Sequence, residues 1–184
     1  MGACCKQLSL WKGTEKRNLF ISVNVSAKDF YSIDVVDVLT KLVEKYGVDS
    51  RMLRLEITET AMLGNADKCE SVVSELRKKG FLVEIDDFGK DNSTLSFLKD
   101  IKADVLKIDM SFLREIKDRE RSRIILKSVI SMAGSLGMDV ITEGVETEQQ
   151  LRALTEMGCA HFQGYYFSRP IPVDEFEMRY SSAK

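Results

Sequence analysis

The sequence predicts a TIM-type (β/α)8-like barrel, incomplete here at about six βα units with the first two strands absent. Three observations carry this expectation. From residue 20 onward, short β-branched runs alternate with longer stretches of helical periodicity, the pattern of a parallel sheet with helices outside it. Polar residues stand at or near the C-terminal end of every run: Asn24, Glu56, Asp86, Asp87, Lys107, Asp109, Glu143 and Gln163. An open doubly wound sheet gathers its ligands at one switch point, whereas a barrel brings all its strand ends around one mouth, so polar tips on every strand favour the barrel. No GxGxxG or P-loop follows any run, which weakens the nucleotide-fold alternative.

The expected strands are FISVNVS (20–26), MLRLEIT (52–58), FLVEIDDF (81–88), DVLKID (104–109), MDVITEG (138–144) and AHFQGYYF (160–167). Helices are expected at 33–47, 66–80, 93–101, 121–137 and 147–158, several closing on the glycine that commonly follows a helix end. The first 19 residues place Cys5, Leu8, Leu10 and Trp11 on one helical face but contain no strand, so two strands of an eight-stranded barrel are missing on the N-terminal side. Six parallel strands cannot close that geometry. Free edges are therefore expected near residues 20–25 and 160–167, covered by self-association, by the N-terminal helix or by swapping between chains.

With 184 residues, 44% hydrophobic and 30% charged, the chain is long enough for a single domain spanning 1–184. A net charge of −2 gives no broad basic surface for DNA, so phosphate binding has to be local. Cys4, Cys5, Cys69 and Cys159 form neither a disulfide framework nor a zinc pattern and read as reduced thiols of a cytoplasmic protein, although a parent protein could be membrane-anchored. The opening MGACCK has Lys6 where a myristoylation signal wants Ser or Thr. No apolar stretch reaches the roughly 18 residues of a membrane span.

The strand tips point to hard-cation chemistry. Carboxylate and amide oxygens hold Mg²⁺ or Mn²⁺, and Asn24, Glu56, Asp86, Asp87 and Glu143 supply that set without a histidine. Acids converging with one lysine, Lys107, meet the needs of metal-assisted phosphoester hydrolysis. Two other readings stand beside it. Each acid alone could cap a helix or sit in solvent, and Lys107 could form a Schiff base as in aldolases, although so many acids would keep it protonated. His161 reads as a packing residue beside Cys159, and the hydroxyls of Thr58 and Thr142 could satisfy turn amides. Arg54 lies two before Glu56 and Glu84 two before Asp86, so strand periodicity predicts a buried ion pair one layer below the site.

At these same positions the sequence resembles the EAL-domain family of cyclic di-GMP phosphodiesterases. The matching segments are SVNVSA (22–27), LEITETAML (55–63), IDDFG (85–89), LKIDMSFL (106–113), TEGVET (142–147) and QGYYFSRPI (163–171), and ACCKQLSLWK (3–12) is similar to the helix before the family's third strand. The resemblance implies hydrolysis of cyclic di-GMP to linear pGpG with Mg²⁺ or Mn²⁺, usually by a dimer. It implies metal-site roles for Asn24, Glu56, Asp86 and Asp87, and a role as base or metal-site carboxylate for Glu143. Lys107 would meet the water at the metal or a phosphate. Gln163 and Asp109 would position the site, and Glu59 resembles the glutamate that anchors the loop after the paired aspartates. Two departures bear on activity. The segment carrying the family's Glu-Ala-Leu motif is not in these residues, and Lys90, Asp91, Asn92, Ser93 and Thr94 replace a common Thr-Gly-Tyr-Ser-Ser loop. Weak or no hydrolysis is thus expected of this chain. The alternative is a degenerate module that binds cyclic di-GMP or a protein partner without turnover.

Overall fold

A computed structural model of the chain describes residues 1–32, 34–58, 61, 66–89, 98, 101–109 and 119–180. Six strands form one parallel sheet in chain order: β1 (Ile21–Asn24), β2 (Leu53–Thr58), β3 (Val83–Phe88), β4 (Val105–Asp109), β5 (Asp139–Glu143) and β6 (His161–Phe162). The helices are α1 (Gly2–Trp11), α2 (Ala27–Ser32), α3 (Val35–Tyr46), α4 (Ala66–Lys78), α5 (Arg119–Ser135), α6 (Glu148–Glu156) and α7 (Val173–Tyr180). This is the expected incomplete barrel, curled with its helices on one side. Among the described residues β1 pairs only with β2, and β6 only with β5, so both ends of the sheet are free.

Period-two alternation builds the core. Leu53, Leu55 and Ile57 of β2, Val83 and Ile85 of β3, Leu106 and Ile108 of β4 and Val140 of β5 are buried on the helix side. They meet apolar stripes at helical spacing, Val35, Val36, Leu39 and Val43 on α3, Cys69, Val73 and Leu76 on α4, and Leu126, Val129, Ile130 and Ala133 on α5, in one continuous core. The opposite, concave face of the same strands carries the polar residues.

Local chemistry sets the ends of these elements. Asp34 caps α3 by accepting from the Asp37 amide, and Thr147 and Gln150 form a reciprocal capping box at α6. Gly47, Gly80, Gly137 and Gly158 follow their helices with positive φ, as the helix-ending glycines in the sequence predict. No helix among the described residues is long and apolar enough to cross a membrane.

Several expectations need correction. Leu10 is 62% exposed, because it stands two residues from Leu8, on the far side of a helix whose buried face is Cys5, Leu8 and Trp11. The last strand is two residues long, not eight, since the chain turns at Gly164 to meet Val145. His161 is exposed rather than packed: on this short edge strand the alternation turns Phe162, not His161, toward the core. Two helices escaped the periodicity. α2 is announced by Ser26, whose hydroxyl accepts from the Asp29 amide, and α7 by a proline just before an Asp-Glu first turn. Most of the helix expected at 93–101 lies outside the described residues.

The N-terminal helix closes the molecule at the helix layer. Trp11 Nε1 and Gln7 Nε2 donate to Glu177 Oε1 at 2.7 and 2.9 Å, and the Trp11 ring lies 5.9 Å from that of Phe176, so α7 is bound across α1.

The turn after β6 gives the first test. A Cβ on Gly164 would stand 2.1 Å from the Val145 carbonyl oxygen, so nothing larger fits without backbone movement. Gly164→Ala is expected to cost about 1–3 kcal/mol in urea denaturation, and an unchanged midpoint would show that this contact is not held in solution.

Candidate active site at the strand tips

The site is built where the concave alternation reaches the C-terminal ends of β2 to β5. Glu56 on β2, Asp86 on β3, Lys107 on β4 and Glu143 on β5 all point to one place, and Lys107 is at its centre. Its Nζ lies 2.6 Å from Glu56 Oε1 and 3.0 Å from both Asp86 Oδ1 and Glu143 Oε1. Lys107 is 3% exposed, so these contacts replace its water.

Burial alone would lower the Lys107 pKa. The hydrogen bond to Glu56, the charge of Glu143 and the polar contacts of Asp86 and Glu143 outweigh it and hold the ammonium above its ordinary range. Glu143 shifts the other way for a carboxylate that is to stay charged. Burial raises its pKa, and Lys107, shared with Asp86 and Glu56, only partly opposes this. Three carboxylates around one ammonium account for the Lys107 shift, whereas burial is the larger cause at Glu143.

Asp87 reaches the same tip through a bulge. Ile85 pairs with Leu106 and Phe88 with Ile108, so the two acids between them face the single residue Lys107. Asp87 takes φ +58°, a left-handed conformation that aspartate tolerates better than most residues, and Phe88 thereby regains the helix-facing position. Asn24 stands beside Glu56 in the β1–β2 register and is exposed, and Asp109 stands beside Glu143 at the end of β4. Gln163 is exposed. Its backbone bonds to Thr142 and Val145 tie it to the end of β5. Glu59 and Lys90 to Thr94 lie outside the described residues.

The two threonines differ. Thr58 Oγ1 accepts from the Ala61 amide, as a turn hydroxyl does, whereas Thr142 is buried with its Oγ1 3.0 Å from Cys159 Sγ. The ion pair expected one layer down is present: Arg54 Nη1 lies 3.2 Å from Glu84 Oε1. Sequence reasoning missed its third member, Ser22, which donates to Glu84 Oε2 at 3.0 Å, and Phe20, whose ring lies 3.4 Å from the Arg54 guanidinium carbon. Ser22 was legible as the residue two before Asn24.

The donor chemistry fits a hard divalent cation. Every acidic tip offers oxygen, the three acids leave two negative charges beyond what Lys107 balances, and Asp86 Oδ1 is buried without a hydrogen bond although it touches Nζ. Among the described residues no three acids already converge in metal-ligating geometry, because Glu56, Asp86 and Glu143 converge on the ammonium instead. A separate cleft of about 550 Å³ at the opposite ends of the strands is lined by Arg51, Arg77, Lys102 and Asp104 and includes none of these residues.

Removing the ammonium tests the imbalance. Lys107→Met leaves three neighbouring carboxylates without their cation and is expected to cost about 3–5 kcal/mol at neutral pH. Acids without their cation have native pKa values above their unfolded ones, so the stability tied to them is full below the unfolded value of about 4.3 and is lost as pH rises through the native values. The deficit against wild type therefore shrinks as denaturation is followed from pH 7 to pH 4. A deficit independent of pH would assign the loss to packing alone.

Known proteins share this arrangement of elements. The chain is 36% identical over 173 residues to the cyclic di-GMP phosphodiesterase NbdA of Pseudomonas aeruginosa, covering 94% of the chain and 22% of that protein. The PaMucR phosphodiesterase, solved as its c-di-GMP complex, superposes with a TM-score of 0.87 at 31% identity, over 95% of this chain and 71% of that one. BlrP1 of Klebsiella pneumoniae, solved as a manganese/cy-diGMP complex, superposes with a TM-score of 0.79 at 32% identity, over 92% of this chain and 42% of that one. The chain thus spans only about a fifth of the curated relative's length. Residues 1–170, which hold every strand and every tip residue, match the EAL domain, and the chain belongs to the EAL domain family.

Proposed function

We propose that this chain is the C-terminal part of a cyclic di-GMP phosphodiesterase domain, one partial domain over residues 1–184, whose strand tips serve to hydrolyse one phosphodiester bond and release linear pGpG. The observation that carries the reading is the buried Lys107 ammonium ringed by Glu56, Asp86 and Glu143 at 2.6–3.0 Å. A site of this kind offers carboxylates for a cation, a fixed positive charge for a phosphate, and a carboxylate suited to take a proton.

Hydrolysis forms a bond from water oxygen to phosphorus and breaks the bond from phosphorus to one ribose oxygen. One proton leaves the water, and one taken up from solvent reaches the departing alkoxide. Glu143 is assigned the first proton: its raised pKa brings it nearer the operating pH than an ordinary glutamate, which favours general-base work. Lys107 remains protonated and presents its ammonium to the phosphate oxygens, and Asp87, on the bulge, orients the attacking side. Asn24, Glu56, Asp86 and Asp87 would hold Mg²⁺ or Mn²⁺, which would activate water and offset phosphate charge, leaving Glu143 as the carboxylate free to act as base. Gln163, Asp109 and Glu59 position the substrate or the adjoining loop. Self-association through the free edges of β1 and β6 belongs to the same reading.

The test follows pGpG formation from cyclic di-GMP with Mn²⁺, for this chain and for one extended by two N-terminal strands carrying a Glu-Ala-Leu segment. The extended chain is expected to turn over at least about a hundredfold faster, since a missing ligand costs on that order, and Glu143→Gln in it to lose about 10²–10⁴ in rate. An extended chain that binds cyclic di-GMP without turnover would overturn the enzyme reading in favour of a binding module.

A further inference from the structure

Three candidate ligands on the first three strands each have a polar residue two positions before them on the same face: Ser22 beneath Asn24, Arg54 beneath Glu56, Glu84 beneath Asp86. These three are joined to one another. Arg54 Nη1 lies 3.2 Å from Glu84 Oε1, and Ser22 Oγ donates to Glu84 Oε2 at 3.0 Å, so both oxygens of a glutamate that is 1% exposed are engaged. Phe20, half-exposed at the free edge, covers the guanidinium.

The lower tier repeats the geometry of the ligand tier. Across β1 and β2, Ser22 stands opposite Arg54 as Asn24 stands opposite Glu56. Across β2 and β3, Glu56 stands opposite Glu84, so Glu56 and Asp86 are offset by two residues along the ladder. That offset is about 7 Å of strand. Arg54 and Glu84 span the same diagonal. A barrel interior is ordinarily filled by branched apolar side chains, and a buried ion pair is often no more stabilising than an apolar pair of the same size. Stability alone therefore gives no reason for this tier, whereas a directional contact fixes a distance that apolar packing does not.

We infer that Ser22, Arg54 and Glu84 are positioning residues, which set the stagger of β1, β2 and β3 directly beneath the site and so fix the strand positions from which Asn24, Glu56 and Asp86 reach a divalent cation. The inference rests on the phosphodiesterase reading of the strand tips.

Mn²⁺ binding to the full chain, followed by the loss of the free-ion EPR signal, tests it alongside thermal unfolding. R54L/E84L keeps the tier filled and removes both charges. It is expected to melt close to wild type and to bind Mn²⁺ about tenfold or more weakly, in the range seen for residues behind metal ligands. The exchanged pair R54E/E84R is expected to recover most of the affinity. Wild-type affinity, within about twofold, in a folded R54L/E84L chain would overturn the positioning role and leave the metal site standing. A wild-type chain that binds no Mn²⁺ overturns the metal site and the positioning role together, and shows it without any substitution. If R54L/E84L does not fold, R54K carries the test: it keeps the cation and removes the guanidinium whose Nη1 reaches Glu84 and whose face meets Phe20, so weaker Mn²⁺ binding supports the role and unchanged binding overturns it.

Discussion

Everything at the mouth of this sheet depends on one ammonium shared by three carboxylates. Lys107 is buried on β4 between strands that each deliver an acid, and its pKa rises because Glu56, Asp86 and Glu143 together outweigh the cost of burial. A lysine held this firmly as a cation is not a nucleophile, which disfavours the Schiff-base alternative. Burial raises the Glu143 pKa, and the shared ammonium only partly opposes it. A cluster with surplus negative charge around a fixed cation attracts a second cation, and a cation held there would in turn offset the charge of a phosphate.

The paired aspartates show how backbone geometry serves this electrostatics. In a regular strand Asp86 and Asp87 would face opposite sides, and one carboxylate would lie against the helices. The bulge opposite Lys107 removes that outcome at the cost of a left-handed residue, since Phe88 takes the apolar position that alternation would have given Asp87. Backbone strain, a β4 lysine and a β3 acid pair thus occupy one level of the sheet. The strain is local to the site, as expected where function rather than folding sets the conformation.

What was legible in the sequence was whatever a period could carry. Five of the six strands could be read to within a few residues, because their helix-facing Leu, Ile and Val alternate with the polar tips, and the Arg54–Glu84 pair followed from the same count of two. The β6 region failed because its length is set by a close approach of Gly164 to Val145, a contact between segments that no local pattern announces. Helices α2 and α7 are short and take their stability from a capping serine and from Trp11 and Phe176 rather than from a long apolar stripe. At the site, residue types and strand positions were readable. The bulge at Asp87 and the central place of Lys107 were not, because both arise from register between strands.

The division of labour between the two faces of the sheet has a physical reason. The core lies between the strands and the helices, where β2 alone contributes three side chains with no exposed surface. With stability drawn from that side, the concave face is free to carry charge in two successive levels, first Ser22, Arg54 and Glu84 and then Glu56, Asp86 and Lys107. Closed barrels pay for interior charge with full desolvation. Among the described residues the sheet is open between β6 and β1, and Arg54, nearest the edge of β1, keeps 21% of its side chain in contact with solvent while its partner Glu84 keeps 1%. Partial hydration of the Arg54 guanidinium lowers the cost of holding the Glu84 carboxylate, so this charged level is sustained by water on one side and by Ser22 and Arg54 on the other.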